Sequence, residues 1–211
     1  MTTKEKMFLE SKAWVLEKLN LDPNYFKRLS EAHNPNILWI GCIDNLVAAR
    51  ELINADPGDI IIYRNIAAQI REDDVSLMAI LQDAVEVCNV EYIIVCGYSH
   101  CLGIKDVLAG KNNRPLVNRW LDPLNELYDQ NKADFEGRNE QEKAKRLSEL
   151  NIRRQIVNLS QLDVIQKAWE KGNHPHLLGW YFDLPTGALR EIFSMEENRR
   201  LKQVSSVFEI S

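Results

Sequence analysis

YIIVCGYSHCLGI, residues 92–104, opens on an apolar, β-branched run, Ile93-Ile94-Val95, that predicts a buried strand. Gly97 is expected to break this strand, with Cys96, His100 and Cys101 in or beside the turn. ILWIGCID, residues 37–44, has the same plan upstream: an apolar run, a glycine at 41, then Cys42 and Asp44. Two such junctions side by side in a parallel sheet bring Cys42, Asp44, His100 and Cys101 to the carboxyl ends of neighbouring strands. Open α/β sheets build their sites at that edge.

Outward from these junctions, helical and strand patterns alternate. Met7, Phe8, Trp14, Val15 and Leu19, set among lysines and glutamates, predict a helix over 3–19 with one apolar face. That face needs a cover, either the rest of its own chain or a partner subunit. Asp22 and Pro23 read as the N-cap and first residue of a second helix, with Phe26 and Leu29 inward. Further helices are expected over 46–53 and 75–87, the latter capped by Asp73 or Asp74. Residues 102–172 are mostly helical by pattern, interrupted near 111–115 and 136–141, with Gly172 as the last cap. Strands are expected over 37–40, 60–63, 92–96, 177–183 and 188–193. The last two form a hairpin through Leu184-Pro185-Thr186-Gly187. The tail, 195–211, is either loose or an edge strand. This alternation predicts an α/β fold, a mainly parallel sheet flanked by helices. The 211 residues suffice for a single domain over 1–211 with its own core.

Composition narrows the function. A net charge of −5 argues against general nucleic-acid binding, which needs a basic face. No apolar run reaches the roughly 20 residues of a membrane span. The charged start, MTTKEKMFLESK, lacks a signal-peptide core, so a cytoplasmic location is expected. Cysteines at 42, 88, 96 and 101 do not form a secreted disulfide framework. In a reducing compartment, cysteines at strand ends serve as metal ligands, reactive thiols or core residues.

The chain resembles the β-class carbonic anhydrases along nearly its whole length. The matching stretches are Asp22-Pro23 with Phe26, Leu38-Trp39-Ile40-Gly41-Cys42 with Asp44, Arg64-Asn65-Ile66-Ala67, Val95-Cys96-Gly97 with Cys101, and Gly179-Trp180 with Asp183. The resemblance implies a zinc-dependent fold that hydrates carbon dioxide to bicarbonate. It also implies a homodimer or higher homo-oligomer in which a helical arm, here 1–34, lies over the partner. In such a family the metal is held by two cysteines and one histidine. An open position is left for water, whose pKa falls from 15.7 to about 7.

Carried onto this chain, the ligand cysteines are Cys42 and Cys101, but three neighbouring positions depart from the family's pattern. The family's Gly-His-x-x-Cys-Gly reads Gly97-Tyr98-Ser99-His100-Cys101-Leu102 here, and its Cys-x-Asp-x-Arg reads Cys42-Ile43-Asp44-Asn45-Leu46. Tyr98 thus stands for the ligand histidine, Leu102 for a glycine and Leu46 for the arginine that pairs with the aspartate. A phenol must ionise near pH 10 to bind metal, so Tyr98 is a poor ligand. Asp44, freed of its arginine, is expected to ligate the metal itself or to protonate more easily. His100 directly precedes Cys101, and adjacent residues point apart, so it is a poor ligand too. Leu46 and Leu102 are expected to fill and dry the substrate cleft. The resulting expectation is a metal set of Cys42, Cys101 and Asp44, with zinc as the cofactor where a metal is bound, the two cysteines otherwise staying as free thiols or joining as a disulfide. Asp44 is the sole catalytic candidate, and carbon dioxide hydration is lost or much weakened.

Two alternatives stand beside that expectation. One is an active carbonic anhydrase with His100 or Tyr98 completing the zinc site. The other is a hydrolase or binder of another small molecule. Some relatives have a second, regulatory bicarbonate site built from a tryptophan, an arginine and a tyrosine. Trp39 and Arg64 match the first two, but Phe182 takes the tyrosine's place and Tyr181, its neighbour on a strand, faces the other way. Cys88 and Cys96 read as core residues. His174 and His176, flanking Pro175, read as a solvated loop, and His33 as a helix-end residue.

Overall fold

The computed structural model describes residues 1–31, 34–110, 113–172 and 174–195. His33, the break at Lys111-Asn112 and the tail 196–211 lie outside the described residues. Five strands, β1 (Ile37–Cys42), β2 (Ile60–Asn65), β3 (Tyr92–Tyr98), β4 (His176–Asp183) and β5 (Ala188–Met195), form one sheet in the order β2-β1-β3-β4-β5. The first four are parallel, and β5 returns antiparallel to β4 as the expected hairpin. The helices are α1 (Thr3–Leu21), α2 (Tyr25–Glu31), α3 (Ala49–Leu52), α4 (Val75–Gln82), α5 (Leu102–Ala109), α6 (Pro115–Gln130), α7 (Glu140–Gln161) and α8 (Asp163–Glu170).

The apolar strands are buried on both sides, as parallel sheets require. Leu38, Ile40, Ile93, Val95 and Leu177 join α4, the second half of α7 and α8 in one cluster. Their neighbours Trp39, Ile94, Cys96 and Tyr98 join Ile104 and Val107 of α5 and Leu121 and Leu124 of α6 in another. β1 and β3 are adjacent, with Gly41 opposite Cys96, so the two junctions lie side by side.

Several expectations about boundaries are corrected. Gly41 and Gly97 do not end their strands. At Gly97 an added Cβ would lie 2.9 Å from Ile152 Cδ1, and at Gly179 one would lie 2.5 Å from Ile152 Cγ2. These glycines let α7 approach the sheet closely, which is a packing role and not a breaking one. Asp22 ends α1 instead of opening α2. Its carboxylate accepts from Asn24 N (2.9 Å) and Arg28, so α2 starts two residues after Pro23. The helix expected over 46–53 shrinks to α3, and residues 43–48 form an irregular loop. Asp74, not Asp73, caps α4, accepting from Leu77 N at 3.2 Å.

α1 buries none of its residues, and Met7, Phe8, Leu9 and Leu16 are exposed. Its Trp14 meets Phe26 edge-on, with ring centres 5.7 Å apart. No described helix is long and apolar enough to cross a membrane.

Candidate metal centre

Cys42 is the last residue of β1, and Cys101 sits just after β3, where it opens α5. The turn between Tyr98 and Cys101 closes on the bond from Cys101 N to Tyr98 O (3.4 Å) and is tied to β4 by the bond from Ser99 N to Phe182 O (3.1 Å). Both thiols are buried and face each other, with sulfurs 3.2 Å apart. A disulfide would need about 2.05 Å, and two thiolates on one tetrahedral zinc would stand about 3.8 Å apart. All four cysteines are free, and the close pair shares a proton between sulfurs. That hydrogen bond, then burial and the charges of Cys42 and Asp44, hold the Cys101 thiol well above its usual range.

Asp44 completes a triangle with the two cysteines. Its carboxylate and the two sulfurs lie within 4.8 Å of one another, and no other His, Cys, Asp and Glu group among the described residues is so grouped. One oxygen, Oδ2, accepts from Leu102 N at 2.6 Å. The amino end of α5 therefore supplies partial positive charge to Asp44, whose family partner arginine is Leu46 here. The other oxygen, Oδ1, is buried and has no hydrogen-bond partner. A buried, orphaned carboxylate oxygen beside two sulfurs is a donor set suited to zinc or a similar dication.

Tyr98 is buried, and its hydroxyl donates to the backbone carbonyl of Asp44 at 2.8 Å. Burial, then its contacts with Asp44, pushes the phenol far above the usual tyrosine range, so it stays neutral. Through that bond it braces the Asp44 loop. His100 is exposed, with Nδ1 against Ser99 Oγ at 3.0 Å, and it does not join the triangle.

On the single chain, the bulk at Leu46 and Leu102 lies at the surface. Leu46 is 81% exposed, Leu102 56% and Ile43 54%, so these residues flank Asp44 as an apolar collar on the described chain. The reason is local: the irregular loop 43–48 turns Ile43 and Leu46 outward while Asp44 and Val47 face in. The cavity beside Cys42, about 60 Å³, is bounded by Trp39, Val47, Ile62 and Arg64 and has room for one or two waters.

Arg64 donates to the carbonyls of Cys42 (2.9 Å) and Asn45 (2.5 Å), which fixes the start of the loop that carries Asp44. Trp39 and Phe182 share a cluster, while Tyr181 is buried on the other side among residues of a separate cavity. His174 and His176 lie with ring centres 5.0 Å apart at the start of β4, remote from the cysteines. Cys96 is fully buried and its thiol is pushed up by that burial, as a core residue's is.

One donor escaped the sequence reading. Ala67 N donates to Cys42 Sγ at 3.2 Å. Ala67 and Ala68 adopt left-handed backbone, φ 62° and 51°. Buried amides hold them there: Asn151 Nδ2 donates to Ala67 O at 2.9 Å, and Gln69 Nε2 bonds Asn151 Oδ1 at 2.7 Å. Nothing in the local pattern of Ile66-Ala67-Ala68 signals this turn, because its partners come from α7.

Comparisons with known proteins bear on the family and the fold. The carbonic anhydrase family matches residues 37–189. A carbonic anhydrase of Emericella nidulans is 31% identical over 191 residues, which are 90% of this chain and 83% of that protein. Among solved structures, a β-carbonic anhydrase of Sordaria macrospora, described as tetrameric, superposes with a TM-score of 0.85 at 27% identity. The match covers 92% of this chain and 99% of that one. A β-carbonic anhydrase of Aspergillus fumigatus gives 0.81 at 29% identity, over 90% of each chain.

Proposed function

The chain belongs to the carbonic anhydrase family, in its β class, and from that premise we propose that it is a member whose carbon dioxide hydration is lost or much weakened. In this reading Cys42, Cys101 and Asp44 hold zinc. Zinc at such a site supplies Lewis-acid chemistry, acidifying water for attack on carbon dioxide. The observation that carries the reading is Tyr98. It stands where the family's pattern has the ligand histidine, and its proton is committed to the Asp44 carbonyl at 2.8 Å. Leu46 replaces the arginine that would draw the aspartate away from the metal. The guanidinium of Arg64 is spent on two carbonyls. Asp44 Oδ1, buried and unpaired, is left to take the coordination position that water needs.

The same premise supports a homodimer or larger homo-oligomer, with α1 as an arm over the partner, since its exposed Met7, Phe8 and Leu16 lack a cover. A single domain over 1–211 and a reducing, cytoplasmic setting complete the reading. Four free cysteines suit that setting.

The test is zinc content per chain together with stopped-flow hydration of carbon dioxide. One zinc per chain, lost in Cys42→Ser, with turnover far below that of an active relative measured alongside, supports the proposal. Fast turnover by the unaltered chain ends it.

A further inference from the structure

A cavity of about 580 Å³ opens between α5, the first turns of α7 and the carboxyl end of β4. Ser99 and His100 border it but Cys42 and Cys101 do not, and the metal reading makes no use of it. Its size falls within the range of small-molecule sites. Leu108, Ala144 and the Tyr181 ring give it an apolar body.

The polar groups around that body are unequally engaged. Its three carboxylates already hold donors. Glu140 pairs with Lys143 at 3.3 Å, Glu142 accepts from Asn139 N at 3.0 Å, and Asp183 accepts from Thr186 Oγ1 at 2.6 Å. The donors are uncommitted. Lys105, from α5, and Lys145, from α7, make no ion pair or hydrogen bond among the described residues. The Tyr181 hydroxyl also has no partner there, and burial keeps that phenol protonated. His100 uses only Nδ1, leaving Nε2 free. Glu140 is neutralised by Lys143, and Glu142 and Asp183, which accept from neutral groups and keep their charge, are balanced by Lys105 and Lys145, so an apolar body with one anionic end meets two ammonium groups without other partners in a hollow of no net charge.

We propose that this cavity binds a small organic monoanion, with a ring-sized apolar body against Leu108, Ala144 and Tyr181 and a carboxylate reaching Lys105 and Lys145. The site is separate from the metal centre and does not depend on zinc being bound.

Calorimetric titration of the full chain with 2-naphthoate at low salt tests it. Controls are neutral 2-naphthalenemethanol and cationic 2-naphthylmethylammonium. The expected result is one naphthoate per chain with Kd of about 0.1–1 mM, the range a ligand of this size reaches. Both lysines are exposed, so the substitutions should not disturb folding. Lys105→Gln and Lys145→Gln should each weaken binding about 3-fold, and the double variant about 10-fold, since each pair forms in water. Added salt should weaken naphthoate binding but not that of the alcohol. Three results would overturn the proposal. They are no saturable binding at about 10 mM, equal or tighter binding of the alcohol or the cation, and unchanged naphthoate affinity in the double variant, which would place the anion elsewhere.

Discussion

Tyr98→Phe separates a brace from a metal ligand. The substitution removes one oxygen from a side chain that is 3% exposed and keeps the ring that packs beside Ile104 and Phe182. What is lost is the 2.8 Å bond to the Asp44 carbonyl. A net hydrogen bond is worth about 1 kcal/mol, and the carbonyl left without its partner adds a desolvation cost, for a total of about 2 kcal/mol. In a chain of this length that is a fall in Tm of about 4–8 °C. The decisive measurement is urea or thermal unfolding of both proteins after zinc has been stripped with a chelator. A brace acts without metal, so the loss should persist in stripped protein. Zinc affinity, read by competition with a chromophoric chelator, should fall no more than about 100-fold, as for a group that orients a ligand. Equal stability of the stripped proteins, with the difference appearing only on adding zinc, would mean that Tyr98 binds metal as phenolate and would refute the assignment.

Tyr98→His combined with Leu46→Arg should raise carbon dioxide hydration over the unaltered chain if these positions are what limits it, and stopped-flow assay reads the gain. Alkali should destabilise the fold in a defined window. The folded-state pKa of Tyr63 is raised to about 12, by burial and then its bond to Asp74, so the stability it contributes is complete below pH 10 and drains as pH climbs toward 12. Tyr63→Phe should flatten that part of a stability–pH curve. Gly97→Ala should cost about 1–3 kcal/mol, because the new methyl meets Ile152 Cδ1. Ile152→Val removes that carbon, so in a double-mutant cycle the pair should cost less than the sum of the singles. Removing residues 1–24 should shift the chain toward monomer in analytical ultracentrifugation, since no residue of α1 is buried against the described chain.

Much of the fold was legible from local pattern. Ile37–Ile40 and Ile93-Ile94-Val95 are apolar runs with turns behind them, and such runs become central strands wherever helices cover both faces. Asp74 beside Val75 and Gly187 in the last hairpin are decided by neighbours in sequence, so those elements fall close to where they were expected. The glycines misled because local sequence shows conformational freedom but not what lies opposite. Ile152 lies 55 positions from Gly97 in the chain, and only the packed helix reveals why no side chain fits there.

The amino-acid order alone was enough to identify the family and to pair Cys42 with Cys101, because strand-to-turn junctions are written in consecutive residues. The hydrogen-bond partners of Tyr98, Asp44 and Ala67 were decided only in three dimensions. The Tyr98–Asp44 bond spans 54 positions and the Asp44–Leu102 bond 58, while the Asn151 amide that holds Ala67 comes from 84 positions away. A hydrogen bond depends on direction and on a distance set to tenths of an ångström. Sequence spacing can bring two segments together, but only the packed sheet and helices fix which atom of one faces which atom of the other.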